Sequence, residues 1–203
     1  LPDPHPRLFS SDPYPAGFFL RHDFIDSREE QTLVETIAGL EFAKVEMHGG
    51  VAKRRTVHYG WTYGYTSRAA RPGTEIPAFL LPVRSRAAEW AGIDAQAFAE
   101  ALVTEYPAGA GIGWHRDAPM FGDIIAGISL VSGCRMKFRP YVSPKDLAGP
   151  GQRRPRRTTH EAELPARSAY LISGIARREF EHSIPQTDGL RYSVTFRTLR
   201  GKP

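Results

Sequence analysis

A single cysteine, Cys134, stands among the 203 residues, so the chain can close no internal disulfide and build no thiolate metal cluster. Imidazole and carboxylate remain as metal donors, and a reducing cytosol is the expected compartment. No run of about 18 apolar residues occurs, which argues against a membrane-spanning helix. The opening LPDPHPRLFSSDPYPAGFF has no basic stretch leading into an apolar one, so it does not read as a secretion signal. Heptads, internal repeats and long exposed apolar stripes are missing as well, and a monomer is expected. What is present is ordinary for a globular chain: 41% hydrophobic and 24% charged residues, enough for one domain with a substantial core. The net charge of +5 fits a polyanionic partner such as nucleic acid.

Residues 1–203 read as one domain with four distinct stretches. Residues 1–17 carry five prolines and should wrap the surface as an extended arm. A short strand over 18–20 leads to Asp26 or Ser27, and Ser27 with Glu30 forms a capping-box pattern for a helix over 28–40. Leu33, Ile37 and Leu40 fall on one face of that helix. The region 41–72 mixes aromatic, basic and glycine residues (KRRTVHYGWTYGYTS), and Gly60 and Gly64 favour hairpin-like strands there over helix. A second helix is expected from Pro77 to about Trp90. From 101 to 199 the texture changes to short β-like runs: 101–106, 111–116, 124–131, 134–141, 168–173, 179–184 and 191–199. Helices early and strands late give an α+β class with a double-sheet β core. Within that core, 143–160 reads as a long loop. Its Arg153, Arg154, Arg156 and Arg157 either bind phosphates or form a solvated hairpin tip.

His115 and Asp117 stand two apart in WHRDAP, and positions i and i+2 of a strand share a face, so imidazole and carboxylate can converge on one ion. His182, in FEHSIP on a later strand, is the natural third ligand. Two histidines and one carboxylate on one face of ferrous iron leave positions open for an oxo-acid and dioxygen. In RYSVTFR, strand alternation puts Arg191, Ser193, Thr195 and Arg197 on one face and Tyr192, Val194 and Phe196 on the other. Two arginines facing into a β core are costly unless they meet carboxylates, and a dicarboxylate such as 2-oxoglutarate supplies one. The alternative is an edge strand with both arginines in water.

In order along residues 55–199, GWTYGYTS, TEYPAGAGIGWHRD, ISL, YLISGIARREFEHSIP and RYSVTFR resemble the AlkB family of iron(II)/2-oxoglutarate-dependent dioxygenases. The resemblance implies a double-stranded β-helix, or jelly roll, with supporting N-terminal helices. It implies Fe(II), 2-oxoglutarate and dioxygen, with His115, Asp117 and His182 as ligands and Arg191 on the distal carboxylate of 2-oxoglutarate. Tyr106 would hydrogen-bond that same end, and Arg197 would lie near the other carboxylate and the metal. Thr104 and Ser193 stand where well-known members carry Asn beside the co-substrate. Trp61, Tyr63 and Tyr65 align with a substrate-gripping lid, and Arg55 is among the basic residues near it. Pro119 occupies a position where base-demethylating members often have an acid.

The expected function is oxidative demethylation of N-alkylated bases in DNA or RNA, with the flipped base gripped by the aromatic lid. Pro119 supports an alternative, the same chemistry on a protein or small-molecule substrate. A jelly-roll binding module without turnover is a third reading, opposed by the full set of ligand and arginine candidates.

Overall fold

The computed structural model describes residues 13–47, 50–64, 69–143 and 158–201. Its strands are β1 (Phe18–Arg21), β2 (Ala43–Met47), β3 (Gly50–Gly64), β4 (Ala69–Pro72), β5 (Phe98–Tyr106), β6 (Ile112–His115), β7 (Phe121–Leu130), β8 (Cys134–Pro140), β9 (His160–Leu164), β10 (Ala169–Ile172), β11 (Phe180–Ile184) and β12 (Arg191–Leu199). The larger sheet runs β1-β10-β7-β12-β5-β3-β2, with β4 pairing the far part of β3, and the smaller runs β6-β11-β8-β9. Every recorded pairing is antiparallel, including β12 between β5 and β7. Two antiparallel sheets facing each other are the double-sheet core expected from the spacing of the short strands.

Alternation along β12 decides how the layers fill. Tyr192, Val194 and Phe196 are buried with Val103, Ala101 and Ile128 in the core beneath the helices. The other face of β12 turns toward the smaller sheet, where Phe18, Met136, Phe138, Leu164 and Ile184 form a second core. A strand buried on both faces belongs at the sheet's centre, and β12 occupies that place.

Helices α1 (Ser27–Ala38) and α2 (Leu81–Ala91) cover the first core. Leu33 and Ile37 supply the buried side of α1. The expected capping box is present but one residue earlier. Asp26, extended at φ −83° and ψ 175°, accepts from the Glu29 amide at 2.8 Å, and the Glu29 carboxylate accepts from the Asp26 amide at 3.1 Å. Ser27 is thus the first helical residue rather than the cap, because the acidic side chain satisfies the free amide with a charge-assisted bond. Glu29 also receives Arg86 of α2 at 2.6 Å, which pins the two helices together. Pro82 sits in the first turn of α2, where its missing N–H is harmless, and Gly92 ends the helix in a left-handed conformation at φ 69°.

Three features differ from the expectations drawn from sequence. Strand β5 starts at Phe98, three residues earlier than expected, so Glu100 belongs to it. Strand β9 begins at the end of the expected 143–160 loop. A one-turn helix, α3 (Gly174–Arg178), precedes β11, in a stretch too short to show periodicity. The rest of the basic loop, 144–157, lies outside the described residues, as do residues 1–12 of the expected arm. Among the described residues, no helix is long and apolar enough to cross a membrane.

Gly60 marks where β3 passes from pairing with β5 to pairing with β4. Up to Gly60 the strand pairs with β5, and from Trp61 it pairs with β4. Its φ of 76° redirects the strand, and a Cβ there would overlap the carbonyl of Ala99.

Candidate metal and co-substrate site

Between the sheets lies a cavity of about 360 Å³ whose walls are the inward faces of the central strands. β12 contributes Arg191, Ser193, Thr195 and Arg197, the face that alternation assigned. β5 contributes Glu100, Leu102, Thr104 and Tyr106, and the Cα register pairs Arg191 with Tyr106, Ser193 with Thr104 and Arg197 with Glu100. From the smaller sheet come Ile112, His115, Met136, His182 and Ile184. Asp117 follows β6 in the turn toward β7, so its carboxylate reaches the same space.

His115 and His182 are Cα partners across β6 and β11, with ring centroids 4.3 Å apart. His182 Nε2 lies 3.8 Å from Asp117 Oδ2. The other oxygen, Oδ1, accepts from Arg197 Nε at 2.7 Å. Among the described residues, no three His, Cys, Asp or Glu side chains are already drawn to ligating distance of one point.

The protonation states suit metal donors. Burial pushes both imidazoles down, His182 to about 3, so both are neutral at physiological pH with a lone pair to offer. Burial is the largest single influence and would raise Asp117, but Arg197, the two imidazoles and Arg177 together outweigh it and hold the carboxyl well below the usual range. Because both imidazoles are uncharged at neutral pH, Arg197 and Arg177 are the permanent cations facing it, Arg197 the stronger. Arg197 itself is mostly withdrawn from solvent, and Glu100 and Asp117 together offset that cost and keep it protonated.

At the other end of the cavity Arg191 is fully buried. One terminal nitrogen donates to Ser129 Oγ at 2.8 Å, while Nε and the other terminal nitrogen make no hydrogen bond among the described residues. The guanidinium lies over the Tyr106 ring at 5.0 Å. A buried cation with two open donors is costly unless a carboxylate completes it, which is the chemistry a dicarboxylate co-substrate brings.

Several site-facing residues carry no signal in the sequence. Tyr170 on β10 lines the cavity, and its ring lies across Gly127 of β7. Burial pushes its hydroxyl up to about 12, so it stays a donor. A Cβ at Gly127 would overlap that ring. Gly127→Ala is therefore expected to drive the ring into the cavity, costing on the order of 1–3 kcal/mol by overpacking. It should also raise the KM for 2-oxoglutarate. Unchanged melting and KM would show that the ring tilts aside freely. Arg177 of α3 reaches the carbonyls of Ala118, Phe121 and Gly122 at 3.3 Å each and braces the turn that follows Asp117.

The expected lid is only partly placed. Trp61 is half-buried, its Cα opposite Pro72 on the β3–β4 ribbon. Tyr65 lies outside the described residues, and only the backbone of Tyr63 is described. For Arg55 the structure corrects the expectation. Period two along β3 sends Arg54, Thr56 and His58 into the cavity and Arg55 to the opposite face. There Arg55 makes a forked pair with Glu105, at 2.7 and 3.0 Å, and lies over Phe42 at 5.6 Å. Of the two neighbours, Arg54 is the one on the cavity wall.

A model of the 2OG-Fe(II) oxygenase superfamily matches residues 17–197. The chain belongs to this superfamily. The alkylated DNA repair protein ALKBH8 homolog of Arabidopsis thaliana is 30% identical over 230 aligned positions, covering 97% of this chain and 62% of the relative's own length. The structure of OsALKBH1 superposes with a TM-score of 0.66 over 91% of this chain and 98% of that one, at 13% identity. The epimerase SnoN in complex with Fe3+, alpha ketoglutarate and nogalamycin RO superposes with a TM-score of 0.59, over 90% and 78% of the two chains, at 17% identity. The AlkB resemblance and the jelly-roll expectation are borne out. Iron and 2-oxoglutarate are the groups this oxygenase superfamily implies. The neutral imidazole pair, the ionised Asp117 and the two open donors of Arg191 are chemically suited to them.

Proposed function

We propose that the chain oxidatively demethylates N-alkylated bases of DNA or RNA, using His115, Asp117 and His182 to hold Fe(II) and Arg191 to hold 2-oxoglutarate. The carrying observation is one cavity that joins the two-histidine, one-carboxylate set to a buried arginine with open donors, beneath a wall bearing Lys44, Arg54 and His58. Bound iron with 2-oxoglutarate and dioxygen supplies an oxidant that inserts one oxygen atom into a C–H bond, while the other ends in succinate as carbon dioxide leaves. An N-methyl group oxidised in this way becomes a hydroxymethyl and departs as formaldehyde.

The chain's own residues bind, orient and exclude. Arg191 fixes the distal carboxylate, with Tyr106 beneath it and Thr104 and Ser193 alongside. Leu102, Ile112, Ile125 and Ile184 line the cavity and keep water from the reacting atoms. The relative described as an alkylated DNA repair protein supports the nucleic-acid reading, as does the net charge of +5. Pro119 favours a second reading, a protein or small-molecule substrate, because it offers no acid to a base.

Mass spectrometry of methylated oligonucleotides and methylated control peptides, incubated with the protein, Fe(II), ascorbate and 2-oxoglutarate, separates the two. The expected result is loss of the mass of CH₂ for each methyl removed, from the oligonucleotide alone. Oligonucleotide affinity should fall with salt, and neutralising Arg153, Arg154, Arg156 and Arg157 should flatten that slope by about 0.7 for each phosphate no longer neutralised. Trp61→Ala and Tyr63→Ala should each cost roughly 1–3 kcal/mol if a base stacks there. Salt-insensitive binding with peptide turnover would establish the second reading instead.

A further inference from the structure

Glu100 is a buried carboxylate, 1% exposed, to which the ligand and co-substrate roles above assign nothing. It faces Arg197 directly across the β5–β12 pair. Its Oε2 accepts from a terminal nitrogen of Arg197 at 2.8 Å, and its Oε1 lies 3.1 Å from His58 Nδ1. The Arg197 guanidinium is thereby divided between two carboxylates, with Nε on Oδ1 of Asp117 and a terminal nitrogen on Glu100. A carboxylate only accepts, so His58 is the donor in its contact, and it occupies the Glu100 oxygen that Arg197 does not use.

A guanidinium prefers to fork onto both oxygens of one carboxylate. Released at Nη1, the nitrogen that Glu100 holds, Arg197 would be free to swing and set its two terminal nitrogens end-on against both oxygens of Asp117. The fork would cover Oδ2, the oxygen that lies toward His182 Nε2 at 3.8 Å. We propose that Glu100 is a positioning residue for the metal-binding carboxylate. By holding one side of Arg197 it confines that arginine to Oδ1 of Asp117 and leaves Oδ2 free for a divalent ion. This role rests on His115, Asp117 and His182 being the metal ligands, so its test includes a separate arm for that reading.

The full chain, stripped with chelator, is titrated with Mn(II) alone, and free Mn(II) is read by electron paramagnetic resonance. Glu100→Leu is expected to weaken Mn(II) binding by about 10–100-fold, the usual cost of losing an outer partner of a metal ligand. Glu100→Gln, whose carbonyl still accepts one bond from Arg197, should show a smaller loss in the same direction. It carries the test if the leucine variant does not fold. In an Arg197→Met background neither Glu100 change should weaken binding further, because the effect passes through the guanidinium. His182→Ala tests the ligand reading and should abolish tight Mn(II) binding. If His182→Ala does so while both Glu100 variants bind Mn(II) normally, the positioning role is overturned and the ligand reading stands. An equal loss from Glu100→Leu with and without Arg197 also overturns it. If His182→Ala binds Mn(II) as tightly as the unaltered chain, the ligand reading falls and the positioning role with it.

Discussion

Asp117→Ala is expected to abolish turnover and to weaken divalent metal binding by more than the roughly 10–100-fold that loss of an outer-shell partner costs. Two effects add. The ion loses its only anionic donor among the three, since both imidazoles are neutral at physiological pH. It also meets an unmasked cation, because Arg197 Nε stands 2.7 Å from the oxygen that is removed. Asp117→Asn separates the two: it keeps the shape and an accepting oxygen for Arg197 but removes the charge. Its metal affinity should fall between those of the unaltered chain and the alanine variant. Full activity in Asp117→Ala, measured as succinate formed with Fe(II) and 2-oxoglutarate present, would remove this residue from the metal site.

Arg191→Met should act in opposite directions on two observables, which makes it the more discriminating variant. Arg191 is fully buried with Ser129 Oγ as its hydrogen-bond partner and two donors open among the described residues. Removing an incompletely paired buried cation relieves a desolvation cost, so the protein without ligands should melt at the same or a higher temperature. The distal carboxylate of 2-oxoglutarate, by contrast, loses charge-assisted hydrogen bonds worth about 2–4 kcal/mol together, or roughly a 30- to 900-fold rise in KM. The added stability that 2-oxoglutarate gives the metal-loaded protein should vanish at the same time. A variant that melts lower and keeps its 2-oxoglutarate KM would make Arg191 a structural residue. The RYSVTFR face would then need another explanation.

The candidate metal and co-substrate residues are legible in the sequence because they sit where backbone periodicity is strict. His115 and Asp117 at i and i+2, and Arg191, Ser193, Thr195 and Arg197 on alternate positions, share a face in any extended strand. β12 follows that alternation, with its arginines in the cavity and Val194 and Phe196 in the helix-side core. Period two does not say which phase of a strand faces inward, and at β3 the expectation fails for that reason. Arg55, expected beside the substrate, is turned outward onto Glu105 by the pairing of β3 with β5.

By itself, then, the sequence determined most of the strands, the α+β layout, the absence of any internal disulfide and which residues of β12 share a face. Each follows from composition or from short-range periodicity, which the chain carries locally. Register between strands far apart in the chain is not local, and only the tertiary structure decided it. That register set Glu100 opposite Arg197, His115 opposite His182 and the Tyr170 ring across Gly127. Strand pairing is fixed by burial on both sheet faces at once. A slip of one residue would exchange cavity for core along the whole strand, and no neighbouring stretch of sequence encodes that choice.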